Sequence, residues 1–219
     1  MRLILVRHGD AHAGFHGVIG GPTGCTGLTE RGRRQAEALR DHLAASGRMR
    51  ADVLLSSIIP RAIETAEIIA PGLGIETFRR ECDLCEVHTG VADGLEWAEW
   101  GARYGSFDME AEPERVFAPE GESWNSFHER VEDVLGRLAR EYEGRTVVAV
   151  CHAGVIIASL RVRLGIGRPG TGAGLAPTNT GLTEWVWEPG PGRWTLHSFN
   201  EVSHLFPPFT RGDGPAPTG

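Results

Sequence analysis

The chain has 219 residues, 22 basic against 29 acidic side chains and a net charge of −7. Its 41% hydrophobic content suffices for a buried core, while no apolar run reaches the ~20 residues of a membrane span. All 22 basic residues are arginine; this excludes lysine as a Schiff base, P-loop cation or amine base, and the acidic balance argues against an extended nucleic-acid footprint.

The start of the chain reads as a strand rather than a signal peptide, so a cytoplasmic protein with no membrane partner is expected. Arg2 to Val6 is a short apolar run that ends in Arg7-His8-Gly9. Residues 9 to 27 hold seven glycines and no apolar period, which predicts a long loop ordered by contacts or by a ligand. Thr29 is placed to cap a helix over Glu30 to Ala45 with Ala36, Leu39 and Leu43 on one face. Asp52 to Leu55 is a second strand; Ser56-Ser57 follows, and Pro60 opens a helix to Ile69.

A weaker strand is expected at Ile75 to Phe78. The Gly-rich, acidic stretch from Glu86 to Glu122 has no strong period and reads as a lid or insertion. Ser123 to Tyr142 is helical, with Phe127, Val131, Val134, Leu135 and Leu138 on one face. Thr146 to Val150 is the most apolar strand, and Cys151-His152-Ala153-Gly154 follows it before a helix over Val155 to Leu164. Thr183 to Trp187 and Arg193 to Phe199 alternate like paired strands, and Phe206 to Gly219 reads as a flexible tail. Strand-then-helix units predict an α/β fold: a three-layer α/β/α sandwich on a mostly parallel sheet.

Ligands of open α/β sheets bind beyond the carboxyl ends of the strands. Here three strand ends deliver Arg7 and His8, Ser57 with Arg61 nearby, and His152. Two arginines can grip a phosphoryl group through paired N–H donors, and their charge keeps a neighbouring imidazole neutral and nucleophilic.

Seven segments in order resemble the histidine phosphatase superfamily, also called phosphoglycerate mutase-like. They are LILVRHGD at 3–10, GLTERGRRQA at 27–36, SSIIPRAIETA at 56–66, Glu86 with GVADGLEWAE at 90–99, PEGES at 119–123, VVAVCHAGVI at 147–156 and SFNEVSHL at 198–205. The resemblance implies one domain over 1–205 with a phosphoglycerate mutase-like fold. It also implies that His8 is the phosphorylated nucleophile, that Arg7, Arg61 and His152 bind the phosphoryl group, and that Glu86 is the proton donor. The amides from Ala153 to Val155 open a helix and are candidate further donors, so Ala153 joins the phosphate-binding set. Among Glu81, Asp83, Glu86, Asp93 and Glu96, only the place before GVADGL selects Glu86. The chain departs from the family at Asp10 and Ala11, at Gly14 where an Asn is common, and at Ala153 where a glycine is common.

Charge stabilisation by arginine and histidine needs no metal, so no cofactor is expected. His8, His12 and His16 recur every fourth residue, and Cys82, Cys85 and His88 form C-x2-C-x2-H; neither is read as a metal site, because one lies in a Gly-rich loop and the other lacks a second Cys pair. The expected activity is hydrolysis of a small-molecule phosphomonoester through a phosphohistidine. Two alternatives stand beside it: a phosphoglycerate mutase-type phosphotransferase and a non-catalytic binder of phosphorylated ligands. The segment from 86 to 122 offers only Arg103 and Arg115 to hold a bisphosphorylated intermediate, which favours the hydrolase.

Overall fold

A computed structural model describes residues 1–15, 17–46, 50–166 and 174–206. Most of the expected tail, residues 207–219, and His16 lie outside the described residues. The strands are β1 (Arg2–Arg7), β2 (Val53–Ser56), β3 (Arg79–Arg80), β4 (Thr146–Cys151), β5 (Leu182–Glu188) and β6 (Arg193–Glu201). The helices are α1 (His12–Phe15), α2 (Glu30–Ser46), α3 (Pro60–Ile69), α4 (Trp97–Tyr104), α5 (Trp124–Glu141) and α6 (Ala153–Leu164).

One sheet runs in the order β3-β2-β4-β1-β5-β6. The β3/β2, β2/β4 and β4/β1 pairs are parallel, whereas β5 joins β1 antiparallel and carries β6 beside it. The sheet is therefore mixed, with a parallel half that builds the pocket. Successive side chains point to opposite faces. Leu3, Leu5, Val147, Ala149 and Cys151 pack under α5 and α6, and Ile4, Val6, Leu54, Val148 and Val150 under α2 and α3. Covering both faces explains why β1 and β4 read as unbroken apolar runs.

The expected strand at Ile75 to Phe78 is shifted. Ile75 and Phe78 pack against the α2 and α3 core, and pairing begins at Arg79 and Arg80, opposite Leu55 and Ser56. Two exposed arginines on this short edge discourage further strand pairing. The loop from 9 to 27 also differs from expectation, since α1 forms one helical turn inside it.

Thr29 caps α2 by accepting the Gly32 N–H at 3.0 Å, and its hydroxyl donates to Asp10 Oδ2 at 2.7 Å. A Cβ on Gly32 would lie 2.0 Å from the Asp10 carbonyl oxygen, so a side chain there would push the β1 loop off the helix. The 86–122 segment has its own small core of Ala92, Trp100, Phe117 and Ala118, joined by Ile19 from the first loop. Backbone bonds from Ile19 N–H to Leu95 O and from Gly94 N–H to Ile19 O tie the two segments together.

Candidate active site

Register brings the strand ends together. Arg7 lies beside Cys151 and Ser56 beside Val150, and the next residues continue the pairing through His8 N–H to Cys151 O and Ser57 N–H to Val150 O. His8, Ser57 and His152 thus leave the sheet at one edge. Behind His8, the Thr65 hydroxyl of α3 accepts the Gly9 N–H at 3.0 Å.

Arg61 joins the two histidines. Its Nε donates to His8 Nε2 at 3.0 Å and its Nη2 to His152 Nδ1 at 3.1 Å. A guanidinium only donates, so both contacted nitrogens act as acceptors and both tautomers follow. His8 carries its proton on Nδ1, which donates to the Gly9 carbonyl at 2.7 Å. His152 carries its proton on Nε2 and donates to Ser57 Oγ at 2.8 Å. Ser57 in turn donates to Cys85 Sγ at 3.2 Å.

Burial, and then the charge of Arg61, hold the pKa of both rings well below the usual histidine range; Arg7 adds to both effects. The rings are neutral near pH 7, their centroids 5.1 Å apart. Arg7 donates from Nη1 to Pro177 O at 2.6 Å, while its buried Nε has no partner among the described residues.

Glu86 faces these groups across a cavity of about 380 Å³ lined by Arg7, His8, Asp10, Arg61, Trp97, Ala153 and Asn179, among others. Its Oε2 accepts the Gly154 N–H at 3.0 Å and its Oε1 the Val87 N–H at 3.2 Å. The other four carboxylates weighed from sequence are elsewhere. Glu81 and Asp83 pair with Arg137, Asp93 accepts the Gly21, Thr23 and Gly24 amides, and Glu96 is exposed before α4.

Of the amides expected as phosphate donors, that of Gly154 is already engaged by Glu86. Ala153 lines the cavity and supplies the first N–H of α6, one of the orphan donors of a helix start. A second space of about 180 Å³ adjoins the first, sharing Gly20, Arg61, Glu86 and Trp97, with Ile19, Pro22, Ile59, Val87 and Phe117 as its apolar wall. Trp97 is 50% exposed at the mouth, whereas Trp100 is buried in the small core.

Sequence reasoning missed Asn179, whose Nδ2 donates to the His8 carbonyl at 2.9 Å and which lines the cavity. The signal was the polar Thr178-Asn179-Thr180 run before β5: an antiparallel neighbour starts where β1 ends, and Thr180 N–H donates to Arg7 O.

A neutral imidazole bonded by one arginine and near a second, at the carboxyl edge of an α/β sheet, is an arrangement suited to handling phosphoryl groups. The profile of the "Histidine phosphatase superfamily (branch 1)" matches residues 3–202, and the chain belongs to that superfamily. It is 28% identical over 207 residues to the Metal-independent phosphoserine phosphatase of Arabidopsis thaliana, covering 93% of this chain and 82% of that one. It is 29% identical to the Phosphoglycerate mutase-like protein 4 of the same plant, covering 93% and 86%. Among solved structures, the phosphoserine phosphatase of Entamoeba histolytica in complex with 3-phosphoglyceric acid superposes with a TM-score of 0.75 at 28% identity. That match covers 94% of this chain and 99% of that one.

Proposed function

We propose that this phosphomonoester hydrolase works through a phosphohistidine at His8. The observation that carries the reading is the Arg61 bridge, which leaves His8 Nε2 unprotonated in a water-poor setting. On binding, the phosphoryl oxygens take the donors of Arg7, Arg61, Asn179 and the Ala153 amide. Arg61 exchanges its bonds to His8 Nε2 and His152 Nδ1 for bonds to phosphate, and His152 takes a proton from solvent at the freed Nδ1, becoming a further donor, and returns it when phosphate leaves. The Nε2 lone pair attacks phosphorus, the P–O bond to the leaving group breaks, and Glu86 gives its proton to the departing alkoxide. Glu86 then accepts a proton from water as that water attacks phosphorus. The P–N bond breaks, inorganic phosphate leaves and neutral His8 is restored.

Hydrolysis is favoured over a mutase by the charges around the cavity. Arg7 and Arg61 are its cationic lining residues, opposed by Asp10 and Glu86. Arg103 is paired with Glu99 and Arg115 with Glu112, so neither is poised to hold a second phosphate. The apolar annexe beside Trp97 supports an organic leaving group with an apolar or ring-bearing part. A reducing, cytoplasmic setting belongs to the same proposal, supported by four free cysteines. Among the described residues no helix is long and apolar enough to cross a membrane.

The test is a panel of phosphate esters that includes aryl phosphates, phosphoserine and 3-phosphoglycerate, run on wild type and His8→Ala. Expected are phosphate release, its loss in the variant, and an acid-labile, base-stable phosphoenzyme trapped in wild type. Isomerisation of 3-phosphoglycerate that outpaces phosphate release in the presence of bisphosphoglycerate would overturn the hydrolase in favour of the mutase.

A further inference from the structure

We propose a zinc site made by Cys82, Cys85 and His88 on the turn that carries Glu86. The C-x2-C-x2-H spacing looked incomplete in the sequence for want of a second pair, but folding makes it compact. A 3-10 turn over Cys82–Leu84, closed by Cys85 N–H donating to Cys82 O at 2.9 Å, puts both sulfurs on one side. The chain then returns so that His88 Nε2 lies 3.8 Å from Cys82 Sγ. All three donor atoms lie within 4.8 Å of one another. Ligands of a tetrahedral zinc ion, at about 2.3 Å for sulfur and about 2.0 Å for imidazole nitrogen, are separated by about 3.5–3.8 Å. Contraction by roughly an ångström at the longest edge completes the geometry.

The surroundings supply partners for two of the three ligands. His88 Nδ1 lies 3.6 Å from Glu122 Oε1, beyond hydrogen-bond length, with Nε2 turned to Cys82; a small shift would give the ring the carboxylate partner that orients a ligand histidine. Glu122 is itself held by Arg130 at 2.6 Å. Cys85 is fully buried, and Ser57 aims its hydroxyl proton at the sulfur; such a bond strengthens when the sulfur is a thiolate. Cys82 is exposed, which gives the ion a path in.

Two thiolates and one imidazole are a soft donor set that selects zinc over magnesium or calcium. They leave a fourth position for water or an exogenous ligand. Because the ligands bracket Glu86, the ion would hold its turn in place while taking no part in the phosphoryl chemistry. The site itself does not depend on the phosphatase reading; only its influence on Glu86 does.

The experiment uses full-length protein, chelator-stripped and kept reduced, with thiols counted before use. It is titrated with zinc against a chromophoric competitor and separately loaded with Co2+. Expected are stoichiometric zinc, a raised melting temperature, and the sulfur-to-cobalt charge-transfer band of a thiolate site. Cys82→Ser and His88→Ala should each weaken zinc by more than about 100-fold, beyond what loss of an outer-shell partner costs. His42→Ala and His8→Ala should bind like wild type. Absence of zinc binding by reduced wild type, or equal binding by Cys82→Ser and His88→Ala, would overturn the site. A protein that binds zinc but hydrolyses no ester would leave the site standing and sink the phosphatase reading alone.

Discussion

The Gly154 N–H lies 3.0 Å from Glu86 Oε2, and a Cβ on Gly154 would lie 1.9 Å from Glu86 Oε1. The carboxylate is thus seated against a helix start that has no room for a side chain. Gly154→Ala is expected to displace Glu86 and lower kcat by about tenfold or more, up to the ~10²–10⁴-fold that general acid–base catalysis contributes. The variant should fold normally, since alanine suits a helix. Unchanged kcat on an ester with a poor leaving group would remove Glu86 from the role of acid.

Arg61 contacts His8, His152 and the Gly20 carbonyl through three different nitrogens. Lysine has one charged nitrogen and cannot span them. Arg61→Lys is therefore expected to lose most of what Arg61→Ala loses, on the order of 10²-fold or more in kcat/KM. Recovery to within a few-fold of wild type would show that charge alone suffices.

Stability should fall in mild acid. His8 and His152 have folded pKa values well below 6.5, whereas unfolded histidine titrates near ~6.5. Below that pH the unfolded chain binds protons that the folded site refuses, so the difference in bound protons favours unfolding. Each ring contributes a slope of up to about 1.4 kcal/mol per pH unit, beginning near pH ~6.5 and running down to the folded values. Urea midpoints of wild type and His8→Gln between about pH 7 and about pH 5 check this; parallel curves would contradict it.

Arg130 clamps the Glu86 turn. It donates to the carbonyls of Asp83, Cys85 and Glu86 and forks onto Glu122. Arg130→Met leaves Glu122 without its cation and the carbonyls without donors, at a cost of about 3 kcal/mol or more. A melting temperature within a degree or so of wild type would refute the clamp.

Trp97 at the mouth is expected to act on affinity more than on chemistry. Trp97→Ala should raise KM for aryl phosphates several-fold with kcat little changed, as when binding common to ground and transition states is lost. An equal rise for a small aliphatic ester would argue against an aromatic subsite.

Much of the parallel half was legible because a buried strand that ends abruptly in polar residues announces both the strand and the site. Arg7-His8 after β1 and His152 after β4 are of this kind. Glu86 was not legible by itself: five carboxylates in the 81–96 stretch look alike, and only the family pattern, and then the cavity, separates them. Asn179 required knowing that β5 runs against β1, which no local pattern encodes. The β3 boundary slipped because Ile75 and Phe78 are apolar for the sake of the helix core, not of a strand.

Placing β1 between β4 and β5 also sets the order in which the protein can come into being. His8 follows β1, the earliest of the described strands in chain order, yet the side chain that holds its carbonyl is 171 positions further along. The pocket around His8 therefore closes only after the segment before β5 has joined it, and pairings of such long sequence separation fold slowly. A chain lacking β5 would expose the apolar β1 edge and have no finished site.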